Sequence, residues 1–215
     1  MLENEPGRQK ARSFIDITRR AQLVGCAIEV IAELGETRAS LVKIAERAGV
    51  SRGVISYHFD DRDELIRLVV AEVYERGRAV VQPRIEAQST AAGQIREFIV
   101  GSVEFYGRYP RYIAALTAIR VSAAQQRTAN PTRGAVTDEL DAVARILRRG
   151  QDDGEFRDFD AAVMATTIRK ALDGAVEHVL AGGAGEPYAA ELTELFRLAL
   201  CRNPRNPHSE ETLLS

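Results

Sequence analysis

Long apolar runs are missing from this chain of 215 residues. No stretch reaches the roughly 18 consecutive apolar residues of a membrane-spanning helix, so no span and no membrane partner are expected. Period-two alternation of apolar and polar residues is missing over any useful length, and so are internal repeats, which predicts an all-α fold. Cysteine is nearly absent. Cys26 and Cys201 have no metal-ligand spacing, and free thiols in the cytoplasm fit them best. Histidine is as scarce: His58, His178 and His208 lie far apart, none beside a serine, cysteine or carboxylate in a catalytic arrangement. No glycine-rich phosphate loop follows a strand. Neither an enzyme nor a metal or cofactor is therefore expected. The opening residues, MLENEPGRQKARSF, lack the apolar core of a secretory signal, which again predicts the cytoplasm. Positive charge is not in excess either. The formal net charge of -2 argues against a uniformly basic coat for nucleic acid and leaves any steering to local charge.

Local positive charge is present. Arg8, Lys10, Arg12, Arg19 and Arg20 gather near the N-terminus. Such an arm can stay solvated, or order on phosphate or in a minor groove. Residues 1–14 read as disordered. A helix is predicted over 17–34, with Leu23, Ala27, Val30, Ile31 and Leu34 on one face and Gly35 as its stop. Thr18, Arg19 and Arg20 would then sit at its positive end, where a phosphate is favoured.

The stretch 40–59, SLVKIAERAGVSRGVISYHF, reads as two short helices and a tight turn. Ser40 can cap the first helix. Leu41, Ile44, Ala45 and Ala48 follow at helical spacing, and Gly49 suits a left-handed stop. Ser51 can cap the second helix, whose buried side would be Val54, Ile55 and Phe59. Arg52, Gly53, Ser56, Tyr57 and His58 remain outside. Any helical hairpin explains the apolar spacing and the glycine. A short second helix that is small-sided at its start and rich in donors points instead to a DNA-reading helix-turn-helix. Arg52 can fork to guanine, Tyr57 can touch a phosphate or a thymine methyl, and Gly53 permits close backbone approach. Lys43, Ser40, Thr18 and Arg62 would hold phosphates. His58 is either a DNA contact or a half-buried residue at the helix end.

Residues 19–70 resemble the DNA-binding domain of the tetracycline-repressor-type (TetR-type) regulators. The resemblance rests on Ser40 with Ile44-Ala45 four residues on, then Ala48-Gly49-Val50-Ser51, Gly53, His58-Phe59, and a basic residue plus Leu65 after the aromatic. It implies a DNA-binding domain over 15–62 with its third helix in the major groove of double-stranded DNA. It also implies a helical domain over 63–203 that dimerises and binds a small molecule. Two positions depart from the pattern: Ser56 stands where the family most often has tyrosine, and Arg62 where a lysine is usual. Ser56 could donate a shorter-reach bond or Tyr57 could take over the first contact, and the guanidinium of Arg62 could make the second.

Further along, helices are predicted from the Asp60 and Asp61 caps to about residue 81, where Pro83 would break the rod, then over 91–106, 110–126, 131–150, 160–180 and 187–201. Residues 151–159 are a polar turn, and Pro204 and Pro207 mark a tail. Aromatic and small polar residues mix on the central helices. Phe98, Phe105, Tyr109, Tyr112, Ile113, Leu116, Arg120, Leu140, Met164, Thr167 and Ile168 are candidates to line a ligand pocket, with plain core as the alternative for Phe98, Phe105 and Met164. An inward Arg120 would favour an anionic compound. Ala171, Gly174 and Ala175 permit close helix approach, and Leu192, Leu195, Phe196 and Ala199 form an apolar stripe. A four-helix bundle with a second copy, a homodimer, would cover both. The expected function is a ligand-responsive transcriptional regulator, a repressor on a palindromic operator. The alternative is a ligand-independent helical DNA-binding or protein-interaction module.

Overall fold

The computed structural model describes residues 6–201, with side chains from residue 16 onward. The arm side chains of Arg8, Lys10 and Arg12, the proline tail and His208 lie outside the described residues. The described residues form helices α1 (Pro6–Leu34), α2 (Leu41–Ala48), α3 (Arg52–His58), α4 (Arg62–Glu86), α5 (Ala91–Arg108), α6 (Pro110–Gln126), α7 (Arg133–Asp152), α8 (Ala161–Leu180) and α9 (Gly185–Leu200), with a 3-10 turn at Glu36–Arg38. The all-α expectation holds. None of these helices is long and apolar enough to cross a membrane.

Several boundaries differ from the sequence reading. Helix α1 begins at Pro6, because proline with its fixed φ is a good first helical residue and no breaker follows. Helix α4 passes through Pro83 to Glu86. Pro83 lies in the last turn and is exposed, so only one intrahelical bond is lost. Helix α7 starts after Pro131, since the Thr132 N–H and hydroxyl both donate to Asn130 Oδ1, at 3.0 and 2.9 Å, and this side-chain turn caps the helix. Gly150 does not end α7. A Cβ there would come within 2.4 Å of the Phe156 ring, so the glycine admits the ring of the following turn.

The chain divides into two compact units. The first unit runs to Gly77 and takes up Tyr109–Val136; the second joins Arg78–Arg108 to the segment from Thr137 onward. In the first unit α1 packs against α2 and α6, and α2 against α3. Leu23, Ala27, Ile28 and Ile31 on α1 are almost fully buried. Each such large side chain contributes about 2 kcal/mol of transfer free energy. The 3-10 turn adds a polar node. The buried Glu36 carboxylate accepts from the Ser122 hydroxyl of α6 and pairs with Arg62, which also donates to the Glu36 carbonyl.

In the second unit α5 packs against α8 and α9. The turn at 154–157 closes it. Glu155 accepts the Ala91 and Ala92 N–H groups, at 3.1 and 3.0 Å, and so caps α5. Phe156 is 1% exposed. The Arg157 N–H reaches the Leu200 carbonyl at 2.9 Å. On α8 Thr166, Thr167, Lys170 and His178 are exposed, while Arg169 is buried and paired with Glu139 and Asp173.

Glu36→Ala removes the shared acceptor of Arg62 and Ser122. It is expected to lower the unfolding free energy by about 2 kcal/mol, read from urea denaturation. An unchanged midpoint would show that the node is not structural.

Candidate nucleic-acid interface

Helix α2 is closed at both ends by short-range bonds. Ser40 has extended backbone, and its hydroxyl accepts the Lys43 N–H at 3.3 Å. At the other end Gly49 adopts φ 65°, a left-handed conformation that costs residues with a Cβ about 1 kcal/mol or more. The Gly49 and Val50 N–H groups then return to Glu46 and Ala45, at 3.2 and 3.0 Å, which satisfies two carbonyls at the helix end. The turn so formed sets where α3 begins.

At the start of α3, Ser51 takes the capping backbone conformation, but its hydroxyl does not cap. The carbonyl of Ser51 accepts the Val54 N–H at 3.0 Å, and the exposed hydroxyl is left facing outward. Ile55 is 0% exposed and Phe59 4%, as the apolar spacing predicts; Val54 is half-buried. On the other side Arg52, Gly53, Ser56 and Tyr57 are exposed, Tyr57 to 77%. His58 is half-buried, its ring 5.1 Å from that of Tyr57 in an edge-to-face pair. A Cβ at Gly53 would meet only Ser51 Oγ, at an ordinary 3.7 Å. None of the described residues requires a glycine there, although glycine weakens a helix by about 1 kcal/mol relative to alanine.

The flanking cations divide into two kinds. Arg19 and Lys43 are exposed, and no ion pair joins either to another described residue. Thr18 and Arg19 are exposed as well, but they lie about three turns inside α1. The helix dipole acts within the first turn, so it does not favour a phosphate at these two residues. Arg62 does not face outward. The buried Glu36 carboxylate needs a counter-ion, and Arg62 is turned inward to supply it.

Two features escaped the sequence reading. Val42, on α2, is a large apolar residue that is 45% exposed. Its place in the apolar-rich opening of α2 hides this. Arg20 is not part of a basic arm. Its guanidinium donates to the His58 carbonyl, pairs with Glu64, and lies 4.9 Å from the centroid of the Phe59 ring. Glu64 also accepts the Asp60 N–H at 2.7 Å. That bond, then Arg20, holds the Glu64 carboxyl below the ordinary carboxylate range.

The other candidate sets are only partly assembled. Of the ligand-lining residues, Phe98, Phe105 and Ile168 are buried in the second unit, and Leu140 and Met164 are half-buried. Thr167 is exposed, its hydroxyl donating to the Val163 carbonyl at 2.8 Å, which takes it away from any interior. Tyr109, Tyr112, Ile113, Leu116 and Arg120 belong to the first unit. There Tyr109 and Tyr112 stack edge to face at 5.7 Å, with the Arg76 guanidinium over both rings. Of the dimer candidates, Ala175, Leu192 and Phe196 are buried within their own unit, while Ala171, Gly174 and Ala199 are half-buried. A Cβ on Gly174 would lie 2.7 Å from the Tyr188 hydroxyl, so this glycine serves α8–α9 packing inside the chain. The free face of α9 carries Leu195 and Leu198, 56% and 64% exposed.

A capped helix, a left-handed glycine turn and a short second helix with an uncommitted donor face define a helix-turn-helix of the DNA-binding class. The family described as bacterial regulatory proteins, tetR family, matches residues 23–69. Residues 23–69 are thus similar to the DNA-binding domain of that family. The HTH-type transcriptional regulator BetI of Escherichia coli O45:K1 (strain S88 / ExPEC) is 36% identical over 84 residues, 39% of this chain and 43% of that protein. The chain thus matches less than half the length of this relative. Beyond the domain the likeness is one of fold. The fatty acid degradation regulator FadR of Bacillus halodurans superposes with a TM-score of 0.73 at 17% identity, over 82% of this chain and 93% of that one. The ketosteroid transcriptional regulator KstR2 of Mycobacterium tuberculosis does so with a TM-score of 0.68 at 18% identity, over 86% and 96%.

Tyr57→Ala is expected to leave the urea midpoint unchanged, because the side chain is exposed, and to abolish specific DNA binding. Unaltered affinity and salt slope would remove Tyr57 from the interface.

Proposed function

We propose that the protein is a transcriptional regulator that binds double-stranded DNA as a homodimer and acts as a repressor released by a small organic molecule. The observation that carries the reading is the outer face of α3. Arg52, Gly53, Ser56 and Tyr57 are exposed together on a helix whose ends and back are held by the rest of the unit. Arg52 would read a base edge or hold a phosphate, Gly53 would let the backbone approach, and Ser56 and Tyr57 would complete the contact. Ser40, Lys43, Ser51, Thr18 and Arg19 would fix the docking angle on phosphates, and His58 would stand at the edge of the site. In this scheme residues 15–62 form the DNA-binding domain and 63–203 the ligand-binding and dimerisation domain.

The regulatory half rests on resemblance and on one surface. Relatives of the same fold are named for fatty acid degradation and for ketosteroids, which supports a small organic effector. Leu195 and Leu198 on the outer face of α9 would meet a second copy in a helical bundle. Two copies of α3 would then enter successive major grooves about 34–36 Å apart. To switch the operator from mostly bound to mostly free, the effector must prefer the released state by about 5 kcal/mol.

Fluorescence anisotropy on DNA from upstream of the gene tests the DNA reading. Saturable binding that resists competitor DNA is expected, with affinity falling on the order of a thousandfold between 50 and 200 mM salt. If no fragment from a genome-wide selection binds better than random DNA, the reading fails. Leu195→Glu with Leu198→Glu is expected to give a monomer by sedimentation and to lose operator binding. A dimer that persists would place the interface elsewhere.

A further inference from the structure

A basic residue near a DNA-reading helix is ordinarily assigned to a phosphate. Arg20 is placed for different work. Its three interactions fall on the end of α3, on Phe59 just after it and on the first turn of α4. One guanidinium nitrogen donates to the carbonyl of His58, the last residue of α3. The other pairs with Glu64 in the first turn of α4. The guanidinium lies over Phe59. Glu64 in turn accepts the Asp60 N–H at 2.7 Å, and the Glu64 N–H donates to Asp61 Oδ1 at 2.6 Å. The carbonyls of a helix's last turn have no partner within the helix, and a cation there is favoured. Within α3 itself, only Ile55 is fully buried. One anchor lets a helix rock about its contact point, and a second at its far end stops it. The pairing with Glu64 also cancels the charge that would draw a phosphate.

We infer that Arg20 is a positioning residue: it clamps the C-terminal end of α3 to α1 and α4, and so sets the angle at which Arg52, Ser56 and Tyr57 meet the bases. The inference rests on the DNA-binding reading for its consequence, though not for the clamp itself. Lysine could make one of the bonds but not the forked pair with the stacking.

Arg20→Ala, Arg20→Lys and Glu64→Gln, each checked for a retained helical spectrum, decide it in two assays. The first is hydrogen exchange in the free protein. The Phe59 and Asp60 amides, bonded to the Ile55 carbonyl and to Glu64, are expected to exchange about tenfold faster in Arg20→Ala and in Glu64→Gln. Wild-type exchange rates in Arg20→Ala would overturn the clamp whether or not the protein binds DNA. The second is operator affinity against salt. Positioning predicts that Arg20→Ala and Glu64→Gln both weaken binding about tenfold, with the salt slope unchanged. The preference for operator over a single-mismatch site should shrink, and the double variant should be no worse than either single one. Arg20→Lys should fall between wild type and Arg20→Ala. A phosphate contact predicts the reverse pattern: a slope lower by about one for Arg20→Ala, and tighter binding for Glu64→Gln, which removes a negative charge. That pattern would overturn the inference and leave the DNA reading standing. Failure of the wild type to bind any operator would overturn the DNA reading, with the exchange data still deciding the clamp.

Discussion

A helix of seven residues cannot hold itself. Helix nucleation is costly, and isolated helices below about 12 residues are marginal in water. Helix α3 has that length, and its single fully buried residue is Ile55. Every organising feature of the first unit answers this constraint. The left-handed Gly49 fixes the approach of the chain, Ile55 and Phe59 fix the back of the helix, and the Arg20–Glu64 pair fixes its exit. The result is a helix that contributes little to its own stability and has its polar face free. A face of that kind is useful only if something outside the molecule meets it.

The buried charge in the same unit follows from the same need. Glu36 sits beneath the entrance to α2, with Arg62 and Ser122 satisfying it. A buried ion pair is a weak source of stability relative to apolar packing. Its value here is register, since the node holds the 3-10 turn, the start of α4 and the end of α6 in one arrangement. The second unit uses a turn for the same purpose. Glu155 caps α5, Phe156 fills the space that Gly150 leaves, and Arg157 bonds to the end of α9.

What could be read from the sequence was what short-range chemistry determines. The apolar spacing from Leu41 to Ala48, the Gly49 stop and the exposed donors at Arg52, Ser56 and Tyr57 need no knowledge of distant residues. The fold class and most helix boundaries were legible for the same reason. The features that were not legible lie where a distant partner decides. Arg20 bonds to residues 38 and 44 positions away, and Arg62 to one 26 positions away. Nothing in their local sequence separates a phosphate-binding arginine from a clamp. Gly150 looked like a helix stop because the ring that needs its space follows six residues later. Gly174 looked like an interface residue because Tyr188 is on another helix. Pro83 shows the converse, where a local breaker signal is overridden by its position near a helix end.

The central claim is that α3 reads DNA as one of a symmetric pair. Hydroxyl-radical footprinting on a selected genomic fragment tests this most directly. The account predicts two protected patches on one face of the duplex, their centres about 34–36 Å apart, each abolished with the other by Tyr57→Ala. A single patch, or two patches that Tyr57→Ala leaves intact, would contradict it.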